Sequence, residues 1–123
     1  MAKKILIIED EEILINVLKK KFVREGYDVM VAGNGNEGLI KMKKEKPDLV
    51  LLDIVMPEKD GFEVLEEMAE DEKLKDIPTI IISNSGQPVE LERAKKLGVD
   101  DWLIKTEFDP QEVLDKVIKQ IGK

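Results

Sequence analysis

Five short, largely apolar runs separated by amphipathic stretches constrain the fold of this chain more than any other feature. The runs cover residues 5–8, 49–52, 79–82 and 102–104, with a less regular one at 29–32. Apolar runs that lack polar alternation are typical of strands covered on both faces. We therefore predict a sheet whose two faces are both buried.

Helical patterns lie between and after these runs. They predict helices over residues 12–25, 36–46, 62–69, 89–97 and 110–121. Asp60 and Asp109, each with a glutamate three residues later, have the spacing of helix N-caps. Alternation of strand and helix five times predicts a parallel α/β sheet with helices on both faces. In the first helix we expect one buried apolar stripe, formed by Ile13, Leu14, Val17, Leu18 and Phe22.

The length and composition indicate one domain. The chain has 123 residues, and no linker rich in glycine, serine or proline divides it. We expect a single domain over residues 1–123 with no output domain attached. No apolar run reaches the roughly 18 residues needed to span a membrane, so we expect no membrane insertion and a cytoplasmic location.

Several classes of site are excluded by composition. The sequence contains no cysteine and no histidine, which excludes disulfides, Cys/His zinc sites and Ser-His or Cys-His nucleophile pairs. The net charge is −7, which argues against nucleic-acid contact through a basic face.

Charged and hydroxyl side chains follow four of the five predicted strands. Glu9 and Asp10 follow the first, Asp53 ends the third, Ser83 follows the fourth and Lys105 the fifth. Each residue alone fits a turn, a helix cap or a solvated surface better than a site. Together they should meet, because ligands of open α/β sheets bind beyond the carboxyl ends of the strands.

The charges of this predicted cluster indicate its chemistry. Two carboxylates about 4 Å apart repel by roughly 4 kcal/mol at an effective dielectric constant near 20, and Lys105 supplies one compensating charge. An all-oxygen site with few protein ligands suits Mg²⁺ or Mn²⁺. A carboxylate beside a metal ion and a lysine can act as a nucleophile toward phosphorus. Asp53, at the end of the most apolar strand, is the candidate.

With these residues in place, the chain resembles a response-regulator receiver domain of two-component signalling. The resemblance implies a flavodoxin-like (βα)5 fold with strand order 2-1-3-4-5. It covers essentially the whole chain and depends on five motifs in order: Glu9-Asp10, the segment LLDIVMP containing Asp53, Asp60-Gly61, Ser83 and Lys105.

The resemblance also implies roles for single residues. Asp53 would accept a phosphoryl group from a histidine kinase or a phosphotransfer protein. Asp10 and Asp53 would ligate Mg²⁺ directly, Glu9 would act through water, and the backbone carbonyl of Val55 would complete the protein ligands.

Ser83 and Lys105 would contact the phosphoryl oxygens, and Trp102 would turn inward as the switch aromatic residue. The surface of the fourth helix, fifth strand and fifth helix would then change shape for a downstream protein partner. The resemblance implies a regulator that catalyses only its own phosphorylation and dephosphorylation. Trp102 could instead be a half-buried anchor with no role in switching.

Three residues depart from the usual pattern of the family. They are Glu9 in place of aspartate, Asn84 in place of a small residue and Thr106 in place of proline. A trans bond before Thr106 is the default, since cis costs a non-proline residue about 3 kcal/mol.

These departures leave a second hypothesis, a receiver-like binding module that works without phosphorylation. A small phosphohydrolase of the haloacid-dehalogenase class is a third. That class needs a second aspartate where this chain has Val55.

Overall fold

The computed structural model describes residues 2–99, 101–107 and 109–123. Every predicted helix and strand is present, and its ends differ from the prediction by no more than one residue. None of the helices in these ranges is long and apolar enough to cross a membrane. The strands are β1 Lys4–Ile8, β2 Asp28–Ala32, β3 Leu49–Asp53, β4 Thr79–Ser83 and β5 Asp101–Ile104. The helices are α1 Glu12–Arg24, α2 Gly35–Glu45, α3 Gly61–Glu70, α4 Pro88–Lys96 and α5 Pro110–Ile121.

The five strands form one parallel sheet in the order β2-β1-β3-β4-β5, which confirms the predicted flavodoxin-like topology. The register aligns the strand ends, with Asp53 opposite Ile82 and Ser83 opposite Ile104. Because all strands run the same way, the residues that follow them share one edge of the sheet.

Each face of the sheet carries its own apolar cluster. In β1, Ile5 and Ile7 belong to one cluster, while Leu6 and Ile8 belong to the other. This division follows from the period of two along a strand. One cluster includes buried residues of α1 and α5, and the other includes buried residues of α2, α3 and α4. The apolar runs are therefore strands covered on both faces, as predicted.

The predicted helix boundaries have the expected caps. The Asp60 side chain accepts a hydrogen bond from the Glu63 N–H, and the Glu63 side chain accepts one from the Asp60 N–H. Asp109 caps α5 by accepting from the Glu112 N–H at 2.9 Å. Gly26 follows α1 with φ of 97°, a conformation that glycine adopts without steric cost.

The predicted stripe of α1 is partly wrong. Leu18 and Phe22 are fully buried, but Ile13 is 83% exposed and Val17 is 43% exposed. Successive helical residues differ by about 100°, so Ile13 lies well around the helix from Leu14. Leu14 packs against the same apolar cluster as Leu18 and Phe22, whereas the Ile13–Val17 row faces solvent.

Helices α4 and α5 differ in how firmly they pack. Val113, Leu114 and Val117 of α5 are buried. In α4, Ala94 is buried, but Leu91 is 39% exposed. Ala94 offers a single methyl group, so α4 is held by much less apolar contact than α5.

Candidate functional site

Three strand ends position the charged residues. The N–H of Glu9 donates to the Ala32 carbonyl at 2.9 Å, which continues the β1–β2 pairing by one residue. Asp53 is the last residue of β3. The N–H of Lys105 donates to the Ser83 carbonyl at 2.8 Å, immediately after β5. The backbone of the sheet thus holds all three side chains at its carboxyl edge.

The Lys105 ammonium lies between buried carboxylates. Its Nζ is 3.2 Å from Asp53 Oδ2, 2.9 Å from Glu9 Oε1 and 3.2 Å from Glu9 Oε2. The three side chains are 8% exposed or less. At this burial an ion pair is weakly screened by salt. The structure therefore brings together Glu9, Asp53 and Lys105 from β1, β3 and β5.

Asp10 completes an acidic site, by which we mean Glu9, Asp10 and Asp53. One carboxylate oxygen from each of these residues lies within 4.8 Å of the others. Asp10 is exposed, and its N–H donates to Glu9 Oε2 at 2.9 Å. Three carboxylates at this spacing and one ammonium leave an excess of negative charge.

The acidic site has the ligand set of a hard divalent cation. Its side-chain donors are all carboxylate oxygens, the ligands that Mg²⁺ and Mn²⁺ prefer. Glu9 Oε1 lies close to Lys105 Nζ but in a geometry that makes no hydrogen bond, and it has no hydrogen-bond partner among the described residues. The negative charge of this oxygen is paired with the ammonium at 2.9 Å, so it is the three clustered carboxylates that fit a divalent cation.

Burial and charge shift the pKa values of the cluster. Desolvation raises the pKa of Glu9 from 4.5 to about 7, against the lowering effects of the Glu11 N–H and Lys105. Desolvation also raises the pKa of Asp53 above its ordinary 3.8, opposed mainly by Lys105. For Lys105, burial alone would lower the pKa, but the hydrogen bonds that its ammonium donates to Glu11 and Glu9, together with the negative charge of Asp53, raise the pKa above 10.5. The ammonium is therefore fixed in its charged form.

Val55 and Ser83 lie beside this cluster. The Val55 N–H donates to Asp53 Oδ1 at 3.3 Å, and the Val55 side chain is 70% exposed. Ser83 is buried at the end of β4, and its Oγ accepts a long hydrogen bond of 3.4 Å from the Ser85 N–H. Ser83 shares the edge with Asp53 and Lys105, but its described hydrogen bond is local.

Trp102 is half-buried. Its Nε1 donates to the Ser85 carbonyl at 2.8 Å, and its ring centroid is 6.4 Å from that of Phe62. The two unusual neighbours of the site, Asn84 and Thr106, are both exposed. No peptide bond among the described residues is cis, so the bond before Thr106 is trans, as its chemistry favours.

Glu11 is a member of the cluster that the sequence analysis missed. Its Oε2 lies 2.9 Å from Lys105 Nζ, although the Glu11 side chain is 56% exposed. The one available signal is the third acid in the run Glu9-Asp10-Glu11 after the first strand. That run also fits the start of a helix, where acidic residues are common.

A glycine fixes the loop after Asp53. The Gly61 N–H donates to the Ile54 carbonyl at 2.8 Å. A Cβ atom on Gly61 would lie 2.5 Å from the Asp53 carbonyl oxygen and 2.8 Å from Ile54 Cα. No side chain fits there without movement of the backbone, so α3 begins directly against the peptide group of Asp53.

Sequence comparison identifies relatives across the whole domain. Residues 5–118 match the family model of the response regulator receiver domain. The alkaline phosphatase synthesis transcriptional regulatory protein PhoP of Bacillus subtilis is 36% identical over 117 residues, covering 95% of this chain and 48% of PhoP. The chain spans about half the length of the curated relatives it matches.

Solved structures share the fold. The chemotaxis protein CheY4 of Vibrio cholerae superimposes with a TM-score of 0.90 at 25% identity, over 98% of this chain and 99% of CheY4. A chain of the CheX-CheY-BeF3-Mg²⁺ complex from Borrelia burgdorferi gives a TM-score of 0.86 at 29% identity, over 95% of this chain and 87% of that one.

Proposed function

The chain belongs to the response regulator receiver domain family, and on that premise we propose that it is phosphorylated on Asp53. The phosphodonor would be the phosphohistidine of a histidine kinase or a phosphotransfer protein. The observation that carries this proposal is the placement of Asp53. Its buried carboxylate lies 3.2 Å from Lys105 and within the acidic site.

The proposed reaction is a direct transfer. A carboxylate oxygen of Asp53 forms the bond to phosphorus while the phosphorus–nitrogen bond of the donor breaks, and the electron pair stays on the imidazole nitrogen. Lys105 remains protonated throughout, because its neighbours hold its pKa above the ordinary value. Its charge stabilises the negative oxygens of the transferring group.

The acidic site would hold Mg²⁺ or Mn²⁺. Asp10 and Asp53 would be direct ligands, with Glu9 acting through water and Val55 through its backbone carbonyl. The bound ion supplies positive charge to the phosphoryl oxygens. Support comes from the three clustered carboxylates, which outnumber the one ammonium beside them.

Ser83 and Trp102 would transmit the change. For Ser83 Oγ to reach a phosphoryl oxygen it must leave the Ser85 N–H, and a 3.4 Å bond is weak enough to be exchanged. Trp102 is bonded to the carbonyl of the same Ser85. Movement of this loop would therefore reposition Trp102 and alter the surface of α4, β5 and α5 for a downstream protein.

A protein phosphodonor needs a surface beside the site. The exposed row of Ile13 and Val17 lies on α1, the helix that directly follows Glu9 and Asp10. Exposed apolar side chains near a site are typical of protein contacts. We propose that this row contacts the phosphodonor, and that no nucleic acid is bound by this acidic domain. The cytoplasmic location and the single-domain organisation, without an output domain, stay predictions from the sequence.

Phosphorylation by acetyl phosphate tests the proposal. Incubation with Mg²⁺ should add one phosphoryl mass, seen by intact-protein mass spectrometry, and omission of Mg²⁺ should abolish it. Asp53→Asn should remove labelling, whereas Asp76→Asn, a same-charge change on an exposed turn, should leave it intact. Labelling that persists in Asp53→Asn would identify a different acceptor. A wild-type chain that never labels, and does not bind beryllofluoride, would favour the phosphorylation-independent binding module.

A further inference from the structure

We propose that Glu11 is a positioning residue that occupies one hydrogen bond of Lys105 in the resting state and gives it up to a phosphoryl oxygen. This inference rests on the proposed function. It concerns how readily Lys105 becomes available once Asp53 carries a phosphoryl group. Glu11 would act through Lys105 and would not touch the reacting atoms.

The Lys105 ammonium has no spare hydrogen-bond donor in the resting protein. A lysine ammonium has three N–H donors. In the resting protein they are taken by Glu9 Oε2 at 3.2 Å, Asp53 Oδ2 at 3.2 Å and Glu11 Oε2 at 2.9 Å. A new bond to a phosphoryl oxygen therefore requires that the ammonium release one of these three acceptor oxygens.

The three acceptors of Lys105 differ in how exposed their side chains are to solvent. The side chains of Glu9 and Asp53 are each 3% exposed, whereas that of Glu11 is 56% exposed. Release of Glu9 would leave an unpaired charge away from water, and the remaining oxygen of phosphorylated Asp53, although uncharged, is still buried and still needs a donor. Glu11 can exchange its ammonium partner for water at little cost, so it is the carboxylate that leaves.

Among the described residues, the Glu11 side chain makes no hydrogen bond or ion pair other than the one with Lys105. Glu11 is the N-cap residue of α1, but its side chain makes no capping hydrogen bond. Its N–H donates to Glu9 Oε2 at 2.9 Å, and its carbonyl accepts from the Ile15 N–H. Both are backbone contacts that a Glu11→Gln substitution preserves, so the variant should fold normally.

Competition by Glu11 has a measurable consequence. In Glu11→Gln the neutral amide competes weakly for Lys105, so the ammonium is free for the phosphoryl group. Beryllofluoride, a phosphoryl analogue, should bind about two- to fivefold more tightly at saturating Mg²⁺, the range for a half-exposed ion pair. Titration calorimetry measures the affinity, with the Mg²⁺ affinity of each variant determined separately.

Glu12→Gln is the matched control. Glu12 is the next residue, is exposed on the first turn of α1, and makes no hydrogen bond or ion pair with Lys105 in the described chain. The substitution changes the net charge by the same amount at nearly the same place. It should leave beryllofluoride affinity within about 1.5-fold of wild type, because the exposed charge is screened.

A second readout does not depend on the analogue. In magnesium-free protein, the ¹⁵N NMR signal of the Lys105 ammonium, assigned with Lys105→Arg, should shift in Glu11→Gln and not in Glu12→Gln. Equal effects of the two variants would mean that Glu11 acts only through its charge and not through its contact with Lys105, which would overturn the inference. Unchanged or weaker beryllofluoride binding in Glu11→Gln would also overturn it. Absence of beryllofluoride binding by the wild type would instead overturn the proposed function, and the inference with it.

Discussion

Ile7 and Glu9 are two residues apart at the end of β1, and the two residues are 1% and 2% exposed. Ile7 packs with Leu18 and Phe22 in the apolar cluster beneath α1 and α5. Glu9 lies against Lys105 and Asp53 at the carboxyl edge. The contribution of apolar contacts to the free energy of unfolding does not depend on pH. The contribution of buried charged groups depends on both pH and bound ions. The sheet thus combines an interior of constant stability with an edge whose stability is conditional.

A substitution in the apolar cluster beneath α1 and α5 should have the largest effect on stability. Phe22→Ala removes a fully buried ring and should lower the free energy of unfolding by about 3–5 kcal/mol. The loss should be the same at pH 5 and pH 8, because no titrating group is involved. Urea denaturation at both pH values measures it. Val23→Ala, at a side chain that is 53% exposed, is the control and should be nearly neutral.

Removal of the central cation tests the charged edge. Lys105→Met leaves Glu9 and Asp53 buried without their partner, so at pH 8 the variant should lose about 3 kcal/mol. At pH 5 the loss should be smaller, because the raised pKa of Glu9 lets that carboxyl take up a proton.

Lys116→Met is the control for this change. Lys116 pairs with Asp101 at 3.4 Å, with side chains 33% and 23% exposed, and its loss should cost less than about 1 kcal/mol. A Lys105→Met variant that is no less stable than Lys116→Met, or one equally destabilised at pH 5 and pH 8, would contradict the distinction between the apolar interior and the charged edge.

The pH dependence of the intact protein gives a smaller effect. Glu9 has a folded-state pKa of about 7 against an ordinary 4.5, so the folded state binds the proton more tightly than the unfolded state. Stability is then greatest below pH 4.5 for this group and is lost as the pH rises through 7, by on the order of 1–3 kcal/mol. Thermal unfolding without metal should therefore show a decreasing melting temperature between pH 5 and pH 8.

Two additions separate Glu9 from other causes. Mg²⁺ at pH 8 should restore stability, because it binds the ionised carboxylates. Glu9→Gln should flatten the profile, while Glu12→Gln should keep the wild-type slope. A flat profile in the wild type would mean that burial does not shift the Glu9 pKa as the geometry indicates.

Most of the fold was predictable because its signals are local. An unbroken run such as residues 49–52, a capping pair such as Asp60 and Glu63, and a glycine such as Gly26 each act within a few residues. The exposed Ile13 and Val17 were mispredicted because a helix with apolar residues on two adjacent rows does not reveal which row the sheet covers. Which row is covered depends on how the helix is oriented on the sheet.

The site was predictable in part for a different reason. The carboxyl ends of parallel strands meet at one edge, so Asp53 and Lys105 could be placed together from the strand order alone. Glu11 could not, because it lies beyond the end of the strand, and its side chain reaches the ammonium from the start of a helix. Nothing local distinguishes it from Glu12.

The close approach of Gly61 to Asp53 has a consequence for protein engineering. Because the first residue of α3 lies against the Asp53 carbonyl, an insertion or enlarged side chain at that junction would displace the acceptor itself. The exposed row of α1 carries no such constraint. Libraries that aim to change the partner of this domain should therefore vary Ile13 and Val17 and keep the start of α3 as it is.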